Sequence, residues 1–199
     1  MPRKSDARRQ MVRAAKDLIR ERGYHATAFA DVLDRSGAPR GSVYHHFPEG
    51  KSQLTIAAAD LHGEEQIEYL DDAAEKARDA QEFLLAYVHL ARDGMAASGY
   101  SRGCGIAPLV IEAGDELGDD GLTSRRNFAK MIDRVAFHLA AFGLDSADAR
   151  LLAEATVAGL EGAMITARAG RDTAPFDAVG TVLAAQLHAV APNAARHSE

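Results

Sequence analysis

The chain has 199 residues, 47% of them hydrophobic, and a formal net charge of -6. This is long enough to bury a sizeable core and too apolar for a disordered chain. A single cysteine excludes an internal disulfide, and there is no run of about 18 apolar residues to span a membrane. The N-terminal MPRKSDARRQ lacks the apolar core of a signal peptide, so the expectation is a soluble cytoplasmic protein.

The charge is divided unevenly. Residues 1–52 hold 11 Lys and Arg against 6 Asp and Glu, a net of +5, while residues 53–199 hold 12 against 23, a net of -11. Affinity for a polyanion depends on the local field facing it, so a basic first quarter on an acidic body points to nucleic acid. A basic helix with a solvated face is the plainer explanation of the same asymmetry.

Few stretches alternate as strands do, and the chain reads as helices separated by Gly and Pro. Met11, Ala14, Ala15, Leu18 and Ile19 recur at helical spacing over residues 5–22, with Ser5 as a cap and Gly23 as a stop. Thr27 is expected to cap a short helix over 28–35, and Ser36-Gly37 breaks it. A third short helix is expected over 39–46, then a break at Phe47-Pro48-Glu49-Gly50, then a long helix from Lys51 to the mid-70s. Phe83, Leu84, Tyr87, Val88 and Ala91 form one apolar stripe. Ile106, Leu109, Val110, Ala113 and Leu117 form a shorter one, with a kink or late start at Pro108. A helix over 124–142 carries Phe128, Met131, Ile132, Val135, Leu139 and Phe142, and Gly143 closes it. Asp145 or Ser146 starts a helix to about Arg168, stopped by Gly170. Thr173 and Pro175 start the last helix, which is expected to end before Pro192. The fold class is all-α.

Two short helices joined by a glycine turn, the second small, basic and aromatic, make a helix-turn-helix. Gly41 and Ser42 let a backbone come close. Arg40 can reach a guanine edge or a phosphate, and Tyr44, His45 and His46 offer hydroxyl and imidazole groups and flat apolar surface. Lys51 and Thr27, each at a helix start, are placed to hold phosphates. Val43 and Phe47 should point inward. Adjacent residues on a helix point to different faces, so His45 and His46 make a poor metal pair, and no metal, cofactor or catalytic residue is assigned.

The stretch GYHATAFADVLDRSGAPRGSVYHHFPEGK, residues 23–51, resembles the DNA-binding domain of TetR-family transcriptional repressors. It departs from the pattern at Pro39, where the family often has a capping Ser or Thr. The segments SRGCGIAPLVIEAG (101–114) and GLEGAMITARAGRDTAPFDAV (159–179) are similar to the LmrA and YxaF group of that family. The resemblance implies a three-helix DNA-binding domain over 1–50 and a larger helical effector-binding and dimerisation domain over 51–199. It implies a homodimer on a palindromic operator in double-stranded DNA, released by a small apolar or amphipathic molecule.

The resemblance also implies a cavity among the later helices, with Leu85, Val88, His89, Cys104, Ile106, Leu109, Phe128, Met131, Ile132 and Val135 as its candidate lining. His89 and Glu112 are equally readable as surface residues. Cys104 reads as a pocket residue, a thiol sensor or plain packing, and a small helical enzyme or ligand carrier using Cys104 with His89 or His138 is the alternative function. The last two helices carry Thr156, Val157, Leu160, Met164, Val179, Val182, Leu183 and Leu187. The resemblance implies that these form a four-helix dimer interface, and the alternative is packing within the subunit.

Overall fold

The computed structural model describes residues 4–113 and 122–194. The described residues form eight α-helices, one 3-10 turn and one π-helical segment, with no strand among them. Helix α1 is Lys4–Arg22, α2 is Phe29–Ser36, α3 is Val43–His46, α4 is Lys51–Lys76, α5 is Ala80–Ala97, α6 is Leu122–Ala141, α7 is Ser146–Gly170 and α8 is Ala174–Ala194.

By internal contacts the chain divides into two compact units, Met1–Glu65 with Cys104–Phe128 and Gln66–Gly103 with Ala129–Glu199. In the first unit the α1 stripe of Met11, Ala15, Leu18 and Ile19 is buried, and α2 packs against α1. Ion pairs Arg35–Glu21 at 2.8 Å and Arg22–Asp31 at 3.2 Å join the same two helices at the surface. Gly37 closes α2 at φ +66°, a conformation glycine adopts without strain.

Thr27 does not cap α2. The N-cap residue is Ala28, with no side-chain bond, and the buried Thr27 hydroxyl donates to the Gly23 carbonyl at 2.7 Å. The turn after α1 leaves the half-buried Gly23 carbonyl to be met, and Thr27 is a donor that satisfies it. The expected helix over 39–46 is a 3-10 turn at Arg40–Ser42 followed by α3, with Pro39 at the N-cap and the Ser42 hydroxyl donating to the Pro39 carbonyl at 2.6 Å.

The segment after Cys104 starts late. Cys104 Sγ accepts from the backbone N–H of Ile106 at 3.3 Å and of Ala107 at 3.4 Å, and helix begins only at Ala107, with Pro108 in its first turn. Leu109–Ala113 is π-helical. The wider turn keeps Leu109 and Ala113 buried and swings Val110 outward, so Val110 leaves the expected stripe. Leu117 lies outside the described residues.

In the second unit α5 packs on α7 and α8, and α7 on α8. Gly180 lets α5 approach α8: a Cβ there would stand 3.1 Å from Leu85 Cδ2 and 3.7 Å from Val88 Cγ1. The Asp145 carboxylate caps α7, accepting from Ala147 N at 2.8 Å and Asp148 N at 3.0 Å. Gly170 is the last residue of α7 and not its stop. Arg171 takes the left-handed turn at φ +52°, its guanidinium 5.6 Å from the centre of the Tyr100 ring. Helix α8 runs through Pro192 to Ala194, past the expected end.

Candidate nucleic-acid interface

The inward residues of the short reading element and of α2 beside it are closed to solvent. Val32, Val43 and Phe47 are all buried, and the Arg8 guanidinium stacks 5.2 Å from the centre of the Phe47 ring. With its inward side fixed, the short element presents the rest to solvent. Tyr44 is 70% exposed, its ring edge-on to Phe29 at 6.1 Å between centroids. Gly41 and His45 are exposed, Ser42 and His46 half-buried, and the two imidazoles meet edge to face at 5.1 Å. A Cβ at Gly41 would meet nothing within 4 Å, so this backbone is open to close approach. The Arg40 side chain lies outside the described residues.

Lys51 opens α4 beside this element. Its Nζ donates to the His25 carbonyl at 3.2 Å and stands 4.4 Å from the centre of the Tyr24 ring. The turn after α1 therefore holds the ammonium in place at a helix start, where the backbone N–H groups also favour an anion. Thr27, with its hydroxyl committed to Gly23 and only 2% exposed, does not present a phosphate contact on this surface. Spacing in the sequence did not point to His25 or to Glu112, which holds the His25 amide from 87 residues away. Only the Gly23-Tyr24 pair, part of the stretch that carries the resemblance, marked this turn in the sequence.

Residues 11–58 match the family described as bacterial regulatory proteins, tetR family, and residues 80–182 match the LmrA/YxaF-like transcriptional regulator C-terminal domain. An uncharacterized HTH-type transcriptional regulator of Mycobacterium tuberculosis is 38% identical over 194 residues, 95% of this chain and 98% of the relative. The chain belongs to the TetR family. The HTH-type transcriptional regulator LmrA of Bacillus subtilis is 36% identical over 42% of this chain and 44% of its own. The solved regulatory protein TetR from Rhodobacter sphaeroides superposes with a TM-score of 0.80 at 26% identity, covering 90% of this chain and 98% of that one. The protein is thus a helix-turn-helix, DNA-binding transcriptional regulator, and its family is one of regulators.

In this TetR-family regulator the candidate effector residues fall in both units. Cys104, Ile106 and Leu109 are buried and Phe128 half-buried in the first. In the second, Val88, Met131 and Val135 are buried and Leu85 and Ile132 half-buried, whereas His89 is exposed and faces solvent. Glu112 bonds the His25 backbone, which is a structural role and not a cavity one. Cys104 belongs to the first unit, and the histidines considered beside it, His89 and His138, to the second.

The dimer candidates divide as well. Thr156, Val157, Leu160, Leu183 and Leu187 are buried within the subunit, so they pack α7 and α8 into their own unit. Met164 and Val179 are half-buried, Val179 against Gly159 at 3.2 Å from its Cβ position. Val182 alone of the eight is exposed, at 60%. Apart from Val182, the outward stripe consists of other residues: Leu151, Ala155, Ala158, Gly162, Ile165 and Ala169 on α7, and Ala178, Ala185 and Ala189 on α8. No described helix is long and apolar enough to cross a membrane.

Proposed function

We propose that this TetR-family regulator is a dimeric one-component repressor of the cytoplasm. Each subunit lays residues 40–46 in the major groove of one half of a palindromic operator, and a small apolar or amphipathic molecule bound in the 51–199 part releases it. The observation that carries this reading is the reading element itself: its inward residues are locked, and Gly41, Tyr44 and His45 are left open beside a Lys51 that the preceding turn holds in position. Arg40, Gly41, Ser42, Tyr44, His45 and His46 face the bases and nearby backbone, and Lys51 holds a phosphate.

The exposed apolar stripes of α7 and α8 support a homodimer built on these two helices. Two readers serve one palindrome when they stand about 34–36 Å apart or a multiple of it. An effector acts by favouring a different spacing, and a coupling of about 1–3 kcal/mol gives substantial release. Its candidate lining in the first unit is the buried apolar set of Cys104, Ile106 and Leu109.

The test is fluorescence anisotropy with the DNA upstream of the protein's own gene, at fixed salt and against random competitor DNA. Retention of the labelled DNA under competition, with a stoichiometry of two subunits per site, is the expected result. Equal displacement by random DNA on every upstream and distant segment tried, or no affinity at low salt, ends the reading.

A further inference from the structure

Among the described residues, two buried side chains of the first unit end in polar atoms that meet no partner: His62 at Nδ1 and Ser124 at its hydroxyl. The other buried polar side chains of that unit are satisfied. Thr27 donates to Gly23, Thr55 donates to the Lys51 and Ser52 carbonyls at 2.9 Å, and Asn127 donates to Asp60 at 3.0 Å. Orphaned buried polar atoms are rare in native proteins because each forfeits its hydration, so two of them in one unit call for an occupant.

Their surroundings are built for close approach. Gly105 lies against the His62 ring, where a Cβ would stand 2.7 Å from Cγ. Gly63, next in sequence to His62, faces the Asn127 side chain, with its Cβ position 3.1 Å from Asn127 Cγ. Ser124 precedes Asn127 by one turn of α6, so it lies on the face of α6 that meets this part of α4. The chain that follows Gly105 supplies Ile106 and Leu109, both buried. Burial, aided by the positive fields of Arg20 and Lys16, pushes the His62 imidazole down to about 3, so the ring stays neutral around pH 7.

We infer that His62 and Ser124 form the polar end of a binding site for a neutral, largely apolar molecule that carries a hydroxyl. A neutral imidazole has one donor and one acceptor nitrogen, and a serine hydroxyl both gives and accepts. A ligand hydroxyl also does both, so it matches either imidazole tautomer and the Ser124 hydroxyl alike. A carboxylate or ammonium would bring a full charge into a place where burial already keeps the histidine uncharged. The inference rests on the effector reading for its consequence on DNA, not for binding itself.

The probe is phenol, with toluene and benzoate as comparators, titrated into the full-length protein by calorimetry. Phenol is expected to bind saturably and toluene at least about tenfold more weakly, because toluene leaves the polar pair unmet. Benzoate is expected not to compete. Ser124→Ala and His62→Phe should each weaken phenol at least about fivefold. Ser124→Ala has a second readout: it deletes an orphaned hydroxyl, so the ligand-free variant should melt at or above the wild-type temperature. If His62→Phe does not fold, Ser124→Ala and His62→Gln carry the test. Equal binding of phenol and toluene, preference for benzoate, or no phenol binding overturns the site and assigns these atoms to hydrated packing. Operator binding is followed on the same samples. If it fails while phenol binding persists, the repressor reading falls and the site stands.

Discussion

Glu112 and His25 are joined twice: the Glu112 carboxylate accepts from the His25 backbone N–H at 2.9 Å, and its main-chain carbonyl meets His25 Nε2 at 2.9 Å. The His25 carbonyl then accepts from Lys51. The π-helical segment thereby steadies the turn that holds the Lys51 ammonium, the phosphate contact proposed above. Gly23 makes the arrangement possible, since at φ +89° any Cβ would be strained and would overlap the Glu112 carboxylate. Glu112→Ala should cost about 1 kcal/mol in urea denaturation, the worth of one such bond, and should weaken operator binding. Glu112→Gln keeps an acceptor and should recover most of the affinity. Gly23→Ala should cost more, about 1–3 kcal/mol. Unchanged operator affinity in Glu112→Ala would show that the turn does not position Lys51.

Lys51 and Arg40 are separable by salt and by sequence. A phosphate contact acts on all DNA alike, so Lys51→Ala should weaken operator and random DNA equally and lower the salt slope by about one unit per subunit. Arg40→Ala should instead cost about 1–3 kcal/mol on the operator and relax the preference for one base pair. Binding measured across a salt series on both DNAs decides each case. An unchanged slope would remove Lys51 from the phosphate contacts, and an equal loss on both DNAs would move Arg40 into them.

The helices were legible where local chemistry decides them. Gly37 and Gly143 stand at positive φ where a break was expected, and Asp145 caps α7 with two backbone bonds. Legibility ended where tertiary surroundings decide. Thr27 looks like a cap by type, but the Gly23 carbonyl of the preceding turn claims its hydroxyl. Arg171 takes a turn that Gly170 seemed made for. The Glu112–His25 tie follows no sequence spacing at all. Helices α7 and α8 carry small and apolar residues on more than one face, so periodicity shows two apolar stripes without telling which one turns inward. That is why the expected dimer residues proved to be mostly the internal face.

Asp71 ties α4 to α6 within the second unit. It accepts from Arg134 through both carboxylate oxygens and meets His138 Nε2 at 2.8 Å. The bonds from Arg134 and His138 hold its carboxyl below the ordinary aspartate value of 3.8. A depressed folded-state value gives stability that is present above the ordinary value and is lost as pH falls through the folded one. Wild type should therefore lose melting temperature below about pH 4 more steeply than Asp71→Asn. At pH 7 the variant should be the less stable of the two. The side chain is 34% exposed, so solvent screens the pair and the effect is modest. Parallel melting curves from pH 3 to 7 would remove this linkage.

Leu151, Ala158 and Ile165 follow one another at two-turn intervals on the outer face of α7, and Leu151 and Ile165 are 63% and 64% exposed. With Val182 on α8 they form an exposed apolar surface, the face on which the proposed homodimer is built. A glutamate inside such an interface buries an unpaired charge, whereas in a free subunit the same position is solvated. Ile165→Glu should therefore yield a folded monomer by sedimentation at micromolar concentration, with unchanged helix content. Its operator affinity should fall by about two orders of magnitude, because two linked readers give way to one. Leu160→Ala acts on the other face: it should cost about 2–5 kcal/mol of subunit stability as a core truncation and leave the native protein dimeric. A dimeric Ile165→Glu protein, or a monomeric Leu160→Ala one that stays fully folded, would transfer the interface to the internal stripe or elsewhere.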